Sequence, residues 1–349
     1  MSTLLSPADF VDFAQLTLSR FTKKSWIDIS LGSQHYIAAS KLYTSKKVVE
    51  RGGTNVRWEV QVRNGQAARN VTLLQPDQMS IQDLMTYATV PFRKQTNSFS
   101  FGLEEEEFQS GPELIIDVLK VREHACMNAL FELMEDNLWQ APQTTTENRP
   151  YGVPFWIKKD ATTTVGGAFN GGNPTGFSDG AGGISSTTYT RWKNWTFGYT
   201  NVDRDDLVAK VRKAMRYCEF KNPHAFAQLD AGKSNWGFYT TETVLAGLEL
   251  LLDSRNDNLG VDLAKYMGSV LINGSPVEWV PYLNDNDSTN PFYGINWTVF
   301  KPFVKSGWDM KRSEPIQQPF QHNWWTVHID HWCNYLCENR RRCFVGSTS

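Results

Sequence analysis

One uninterrupted helical pattern constrains this chain more than any other feature. It opens at Ser110-Gly111-Pro112-Glu113, where Ser110 can cap a helix and Glu113 can reach back to the cap, and it runs to about Trp139. At ~1.5 Å per residue the helix over 112–139 is on the order of 40 Å long, the longest single element in the chain. Ile115, Val118, Leu119, Cys126, Leu130, Leu133 and Met134 fall on one stripe at helical spacing. Asp117, Lys120, His124, Asn128 and Glu135 fall away from it.

Directly before the cap stands LEEEEF, with Glu104, Glu105, Glu106 and Glu107 in a row. Two carboxylates that hydrolyse a glycosidic bond sit on opposite sides of it, roughly 5–10 Å apart, and usually come from different elements. Four in a row repel one another and cannot all be buried. They favour the positive end of the helix that follows. A weak divalent-cation site, a solvated patch and a surface that another protein meets all remain open.

Upstream, TNVRWEVQVR alternates: Val56, Trp58, Val60 and Val62 point one way, Arg57, Glu59, Gln61 and Arg63 the other. That is a strand with one apolar face. Asn64-Gly65 follows as a hairpin turn signal, VTLLQ begins a few residues later, and RKQTNSFSFGL reads as a further strand returning to the glutamates. An isolated hairpin is at best marginally stable in water, so this one is expected to lean on another surface. Residues 161–183 contain eight glycines without the GKS or GKT ending of a phosphate loop, and read as a flexible connector. Asp203 and Asp206 open a helix with Leu207, Val211, Met215 and Cys218 inward, and a third helix spans Thr240–Ser254. VLINGSPVEWVPYLND is an apolar strand, a turn at Asn273-Gly274, and Pro276-Val277. WWTVHIDHWC alternates, with Trp325, Val327, Ile329, His331 and Cys333 on one face. Segregated helices and antiparallel strands make the class α+β.

A net charge of −2 over 349 residues is not that of a sequence-reading nucleic-acid binder. No apolar run approaches the roughly 18–20 residues that span a bilayer. The N-terminus lacks a signal-peptide pattern, and the five cysteines are an odd set without CxxC spacing. Cytosolic synthesis and free thiols are expected. His322, His328, His331, Cys333, Cys337 and Cys343 crowd into one segment, but their strand spacing is wrong for a zinc knuckle. There is no GxSxG elbow. No catalytic, metal or cofactor site emerges, and cofactors are expected to be none.

The order of these segments resembles the major capsid proteins of tailed double-stranded DNA bacteriophages. The long helix ends in ALFELMEDNLW and is followed by ENRPYGVPFWI, where that family has a short P-x-G-L/V turn. FYTTETVLAGLELLLDSRNDN, VLINGSPVEWVPYLND, FYGINWTVFKP and NYLCENRRRCFVG resemble, in order, a helix with its arginine/aspartate loop, a G-x-PV-x-x-VP stretch and the closing strands. The likeness covers roughly residues 45–349. It implies an N-terminal arm (1–44), an extended hairpin loop (45–105), a peripheral domain (106–200) with the spine helix 112–139, an axial domain (201–294) and return strands of the peripheral domain (295–349). It implies a virion protein, assembled in the host bacterial cytoplasm, that forms hexamers and pentamers of itself in an icosahedral shell. Its further partners are a portal protein, a decoration protein in some shells, and packaged double-stranded DNA held without sequence reading. The short arm leaves no room for a fused scaffolding segment, so a separate scaffolding protein, or none, is expected. Expected contacts between subunits are Arg57, Trp58, Val60, Val62, Arg63, Arg69, Glu104–Glu107, and the run Arg340, Arg341, Arg342, with the arginines facing a neighbour's glutamates. An encapsulin-like cage shares the fold. A tryptophan-rich carbohydrate-active enzyme or binding protein is the alternative from another class, and it requires exposed tryptophan platforms.

Overall fold

A computed structural model describes residues 36–43, 47–64, 68–73, 81, 83–102, 112–160, 166–220, 234–253, 270–317, 319 and 322–348. The helices, in chain order, are α1 (Ile37–Tyr43), α2 (Pro112–Leu138), α3 (Val153–Trp156), α4 (Ala209–Cys218), α5 (Glu242–Asp253) and α6 (Pro281–Asn286). The strands are β1 (Val48–Glu50), β2 (Asn55–Gln61), β3 (Met85–Pro91), β4 (Arg93–Gly102), β5 (Ala168–Gly171), β6 (Asn194–Tyr199), β7 (Trp236–Thr240), β8 (Leu271–Ile272), β9 (Ser275–Trp279), β10 (Phe292–Asn296), β11 (Phe300–Lys305), β12 (Lys311–Arg312), β13 (Ile316–Gln317), β14 (Trp324–Cys337) and β15 (Phe344–Thr348). The α+β expectation holds.

Two sheets carry the fold. In the first, β14 is the backbone of the layer: β4 runs along its Trp324–Cys333 stretch, and β13, β12 and β11 follow one another along its other edge, with β1 outside β11. The second has the order β5-β6-β15-β10-β7-β9-β8. Residues 295–349 therefore feed both sheets, β11 and β14 the first and β15 the second.

The long helix α2 lies against the first core. Cys126, Leu130, Met134 and Leu138 are buried there with Trp156, Phe300, Phe303 and Ile329. The stripe is offset from its expected position. Leu133 is exposed, whereas Asn128 and Glu135 are buried. Glu135 is tolerated inside because its two oxygens accept from the Ala38 N–H at 2.6 Å and the Trp139 indole at 2.7 Å. Burial raises its carboxyl above the ordinary range, and those two donors oppose the rise. The same contact seats α1 on α2.

The second core is aromatic. Trp236, Phe238, Phe292 and Phe344 pack with Phe197, under α4 and α5, which supply Val211, Met215, Val244 and Leu248, and under Leu207 just before α4. Here Gly294 and Gly346 are needed as glycines, because the rings of Phe344 and Phe197 lie against them. A Cβ would sit 2.2 Å from Phe344 at the first and 2.4 Å from Phe197 at the second. The helix expected from Asp203 begins with a π-helical turn, Arg204–Val208, whose Asp206 N–H is capped by the Asp203 carboxylate at 2.6 Å. Asn273 and Gly274, both at positive φ, make the expected β8–β9 turn.

Three expectations need correcting. The partner of β2 is β3, not a strand starting at Val71: Val71–Leu73 are exposed and outside any strand, and Gly65 of the Asn64-Gly65 signal lies outside the described residues. β4 does not belong to the hairpin; its whole length is paired with β14. The glycine-rich stretch beyond residue 165 is packed rather than flexible. Asn173 Oδ1 accepts from the Ser186 N–H and hydroxyl, Ala181 and Ile184 are buried, and Gly180 approaches the Ile184 carbonyl too closely for a Cβ.

Candidate assembly surfaces

The hairpin β2–β3 projects one apolar and one polar face. Val56, Trp58 and Val60 lean on the chain's own first core, with the Trp58 ring 6.1 Å from that of Trp156, while Ala88 and Val90 of β3 are fully buried. The base of the hairpin is thus covered in part by its own chain, and Trp58, Val60 and Val62 remain only half-buried. On the other face Arg57 stacks over Tyr87 at 4.4 Å, and Arg63 lies 5.9 Å from the ring of Tyr189. Arg69 is exposed. Beyond Val62, which donates to the Leu84 carbonyl, the apolar side chains lose all cover: Leu73 is 94% and Ile81 95% exposed, with Val71 and Met85 exposed beside them. The sequence reading missed this tip. Val71, Leu73 and Ile81, apolar residues without the alternation of a buried strand face, were the signal for it.

The arginine run is mostly interior. Residues 340–342 form a 3₁₀ turn capped by Asn339, and its direction drives Arg340 into the molecule. Arg340 donates to the carbonyls of Trp156 (2.7 Å), Trp192 (3.1 Å) and Gly172 (2.9 Å), and to Asn194 Oδ1 (3.3 Å). No carboxylate is among these partners. Burial pulls its guanidinium down to about 10, still charged at neutral pH. Arg342 is buried and donates to the Phe220 carbonyl at 3.1 Å. Arg341 is half-buried, stacked 4.4 Å from Phe169. The expectation that this run faces a neighbour's glutamates is therefore corrected for Arg340 and Arg342, whose guanidinium groups serve internal carbonyls. Glu104–Glu107 lie outside the described residues.

Two polar clusters fix how the hairpin and the N-terminal segment join the body. Asn334, fully buried on β14, accepts from the Tyr151 and Tyr335 N–H groups (2.6 and 2.8 Å) and donates to the Pro91 carbonyl at 2.7 Å, where β3 ends. Asp309 accepts from Lys47 at 2.6 Å and pairs with His331 Nδ1 at 3.3 Å. The His331 contact holds the Asp309 carboxyl down to about 2, against the upward pull of burial and with help from Lys47. Burial pulls the His331 imidazolium down, but the Cys333 sulfur and the Asp309 carboxylate outweigh it and push the group up to about 9.

Among the described residues no three His, Cys, Asp or Glu side chains come together to hold a metal ion. All five cysteines are free and buried. Of the twelve described tryptophans none is exposed, so the platforms that a carbohydrate binder needs are missing from the described surface.

No protein-family model matches the chain. No curated protein matches it either. Solved structures do. The capsid asymmetric unit of cyanophage A-1(L) is 13% identical, with a TM-score of 0.65 over 96% of this chain and 98% of that one. The capsid of a native GTA particle is 10% identical, with a TM-score of 0.56 over 95% of both chains. The capsid of the myophage XM1 is 8% identical, with a TM-score of 0.54 over the whole of both. The chain has the fold of these phage capsid proteins from end to end.

Proposed function

We propose that the chain is the major capsid protein of a tailed double-stranded DNA bacteriophage, a structural and non-catalytic subunit that builds the icosahedral shell around the genome. The observation that carries this reading is the whole-length match to capsid subunits, 96% of this chain against 98% of the cyanophage A-1(L) one. A domain borrowed by an enzyme would match over part of either chain. The uncovered tip of the hairpin supports the same reading, because a subunit that works alone gains nothing from displaying Leu73 and Ile81.

In this reading the division into arm, extended loop, peripheral domain and axial domain is carried over from the sequence. The exposed side of the hairpin (Arg57, Arg63 and Arg69), the half-buried Trp58, Val60 and Val62, the tip, Glu104–Glu107 and Arg341 meet neighbouring subunits. Hexamers and pentamers close the shell, a portal protein takes one vertex, and a separate scaffolding protein guides assembly in the host cytoplasm. Double-stranded DNA fills the finished virion without being read.

Expression of the full chain followed by electron microscopy tests the proposal. Closed particles with hexameric and pentameric capsomers are expected. Monodisperse monomers under all assembly conditions, with or without a co-expressed scaffold, would overturn it.

A further inference from the structure

The charge of this chain is nearly balanced, yet one groove is not. Arg204, Arg212 and Arg216 line a depression of about 610 Å³ on the outer side of α4. All three are exposed, and among the described residues none is in an ion pair. The neighbouring cations are already engaged: Lys210 pairs with Asp206, and Lys213 donates to the Gly166 carbonyl at 2.6 Å. Arg212 and Arg216 are four apart on one helix face, an arrangement that costs a few tenths of a kcal/mol when no anion answers it. The groove borders two acids, Asp205 and Glu219, and the latter is occupied by the Trp236 indole at 2.6 Å.

We infer that this groove binds the phosphate backbone of the enclosed nucleic acid and that the α4 side of the second sheet faces the inside of the shell. The inference rests on the shell reading. Charge identifies a polyanion, and the lining decides which kind. A specific protein partner needs an apolar centre with a polar rim. Here five of the eight lining residues are charged, and of the two apolar ones Met215 is buried and Ala209 offers a single methyl group. Sequence-blind contact with a duplex needs cations alone, and the planar fork of arginine matches a phosphate. One step of four residues on α4 puts Arg212 and Arg216 ~6 Å apart, within reach of successive phosphates of one strand, and Arg204, on the π-helical turn before α4, borders the same groove.

The test uses unassembled full-length subunits and a fluorescein-labelled 30-bp duplex of mixed sequence, titrated by anisotropy at several salt concentrations. Wild type is expected to bind weakly and to lose affinity steeply with salt. R204Q/R212Q/R216Q is expected to flatten the slope of log K against log salt by about 2–3, at ~0.9 for each phosphate no longer neutralised. R204K/R212K/R216K keeps most of the slope, which separates charge from folding. An A/T-rich duplex binds as the mixed one does. Equal slopes for wild type and the glutamine variant overturn the inference. So does loss of particles in that variant with duplex binding unchanged, because the groove then takes carboxylates of another subunit. Failure of wild type to form particles strikes the shell reading instead, and leaves the duplex result to be judged by itself.

Discussion

Replacing Arg340 by methionine separates an interior role from a contact role. The substitution keeps the volume of the stem and removes the donors that serve three carbonyls, those of Trp156, Trp192 and Gly172. Asn194 Oδ1 is not orphaned, because it still accepts from the Lys158 N–H at 3.0 Å. Each buried acceptor left without a donor costs about 1–3 kcal/mol. Part of that is offset, since a buried cation without a carboxylate partner is itself costly to desolvate. The net loss is about 3–5 kcal/mol. For 349 residues at ~2.1 cal/mol/K per residue the unfolding entropy is about 0.7 kcal/mol/K, so the melting temperature of the unassembled subunit falls by about 4–7 °C. Arg340→Lys keeps the charge but reaches fewer carbonyls, and falls between. Scanning calorimetry of unassembled subunits measures this. An R340M subunit that melts with wild type while failing to form particles would place Arg340 in an interface and refute the reasoning.

Leu73→Ser with Ile81→Ser should leave subunit melting within about 0.5 kcal/mol of wild type, since both side chains are already solvated, and should lower particle yield; a yield equal to wild type removes the tip from the subunit interface. Replacing Glu104–Glu107 by glutamine should reduce particle yield at low salt, and added salt should bring wild type toward the variant, because screening acts over about 10 Å at 0.1 M. Higher yield from the glutamine variant would mean that the acids keep subunits apart. The Asp309–His331 pair gives a pH signature. His331, raised to about 9, contributes stability that is complete below about pH 6.5 and is lost as pH rises through 9. Asp309, held at about 2, contributes stability that is complete above about pH 4 and is lost as pH falls through 2. His331→Asn should flatten the alkaline limb of melting temperature against pH, and an unchanged limb counts against the pair.

The long helix was legible because its signals are local: a capping box at Ser110–Glu113 and a helical period sustained to Leu138. The β8–β9 turn and the alternation of β14 were legible for the same reason. What escaped depends on distant partners. Glu135 looked like a surface acid until α1 brought it the Ala38 N–H. β3 became the partner of β2 across more than twenty intervening residues, which no turn signal can specify. Three consecutive arginines read as a charged surface. The counter-signal was their setting between Cys337 and Cys343-Phe344, both buried, which places the turn between two interior strands. The contact surfaces were legible only in outline: Arg57 and Arg63 are where the alternation put them, but Arg212 and Arg216 of the groove sit on a helix whose apolar spacing at Val211, Met215 and Cys218 marks only its buried side.

β3 and β4 are separated by Phe92 alone, yet β3 belongs to the hairpin and β4 to the first sheet. One continuous strand is thus a lever with its fulcrum at Pro91-Phe92. That fulcrum is pinned by the Asn334 amide on Pro91 and by the edge-on contact of Phe92 with Phe303, 5.2 Å between ring centres. Seven residues of β3 at ~3.3 Å each make an arm of about 23 Å, so a turn of about 5° at the fulcrum sweeps the far end of the strand through about 2 Å. In the shell reading, where subunits meet at different angles, an adjustment at this residue re-aims the hairpin only as far as Ala88, Val90 and Trp58, packed on the first core, can follow.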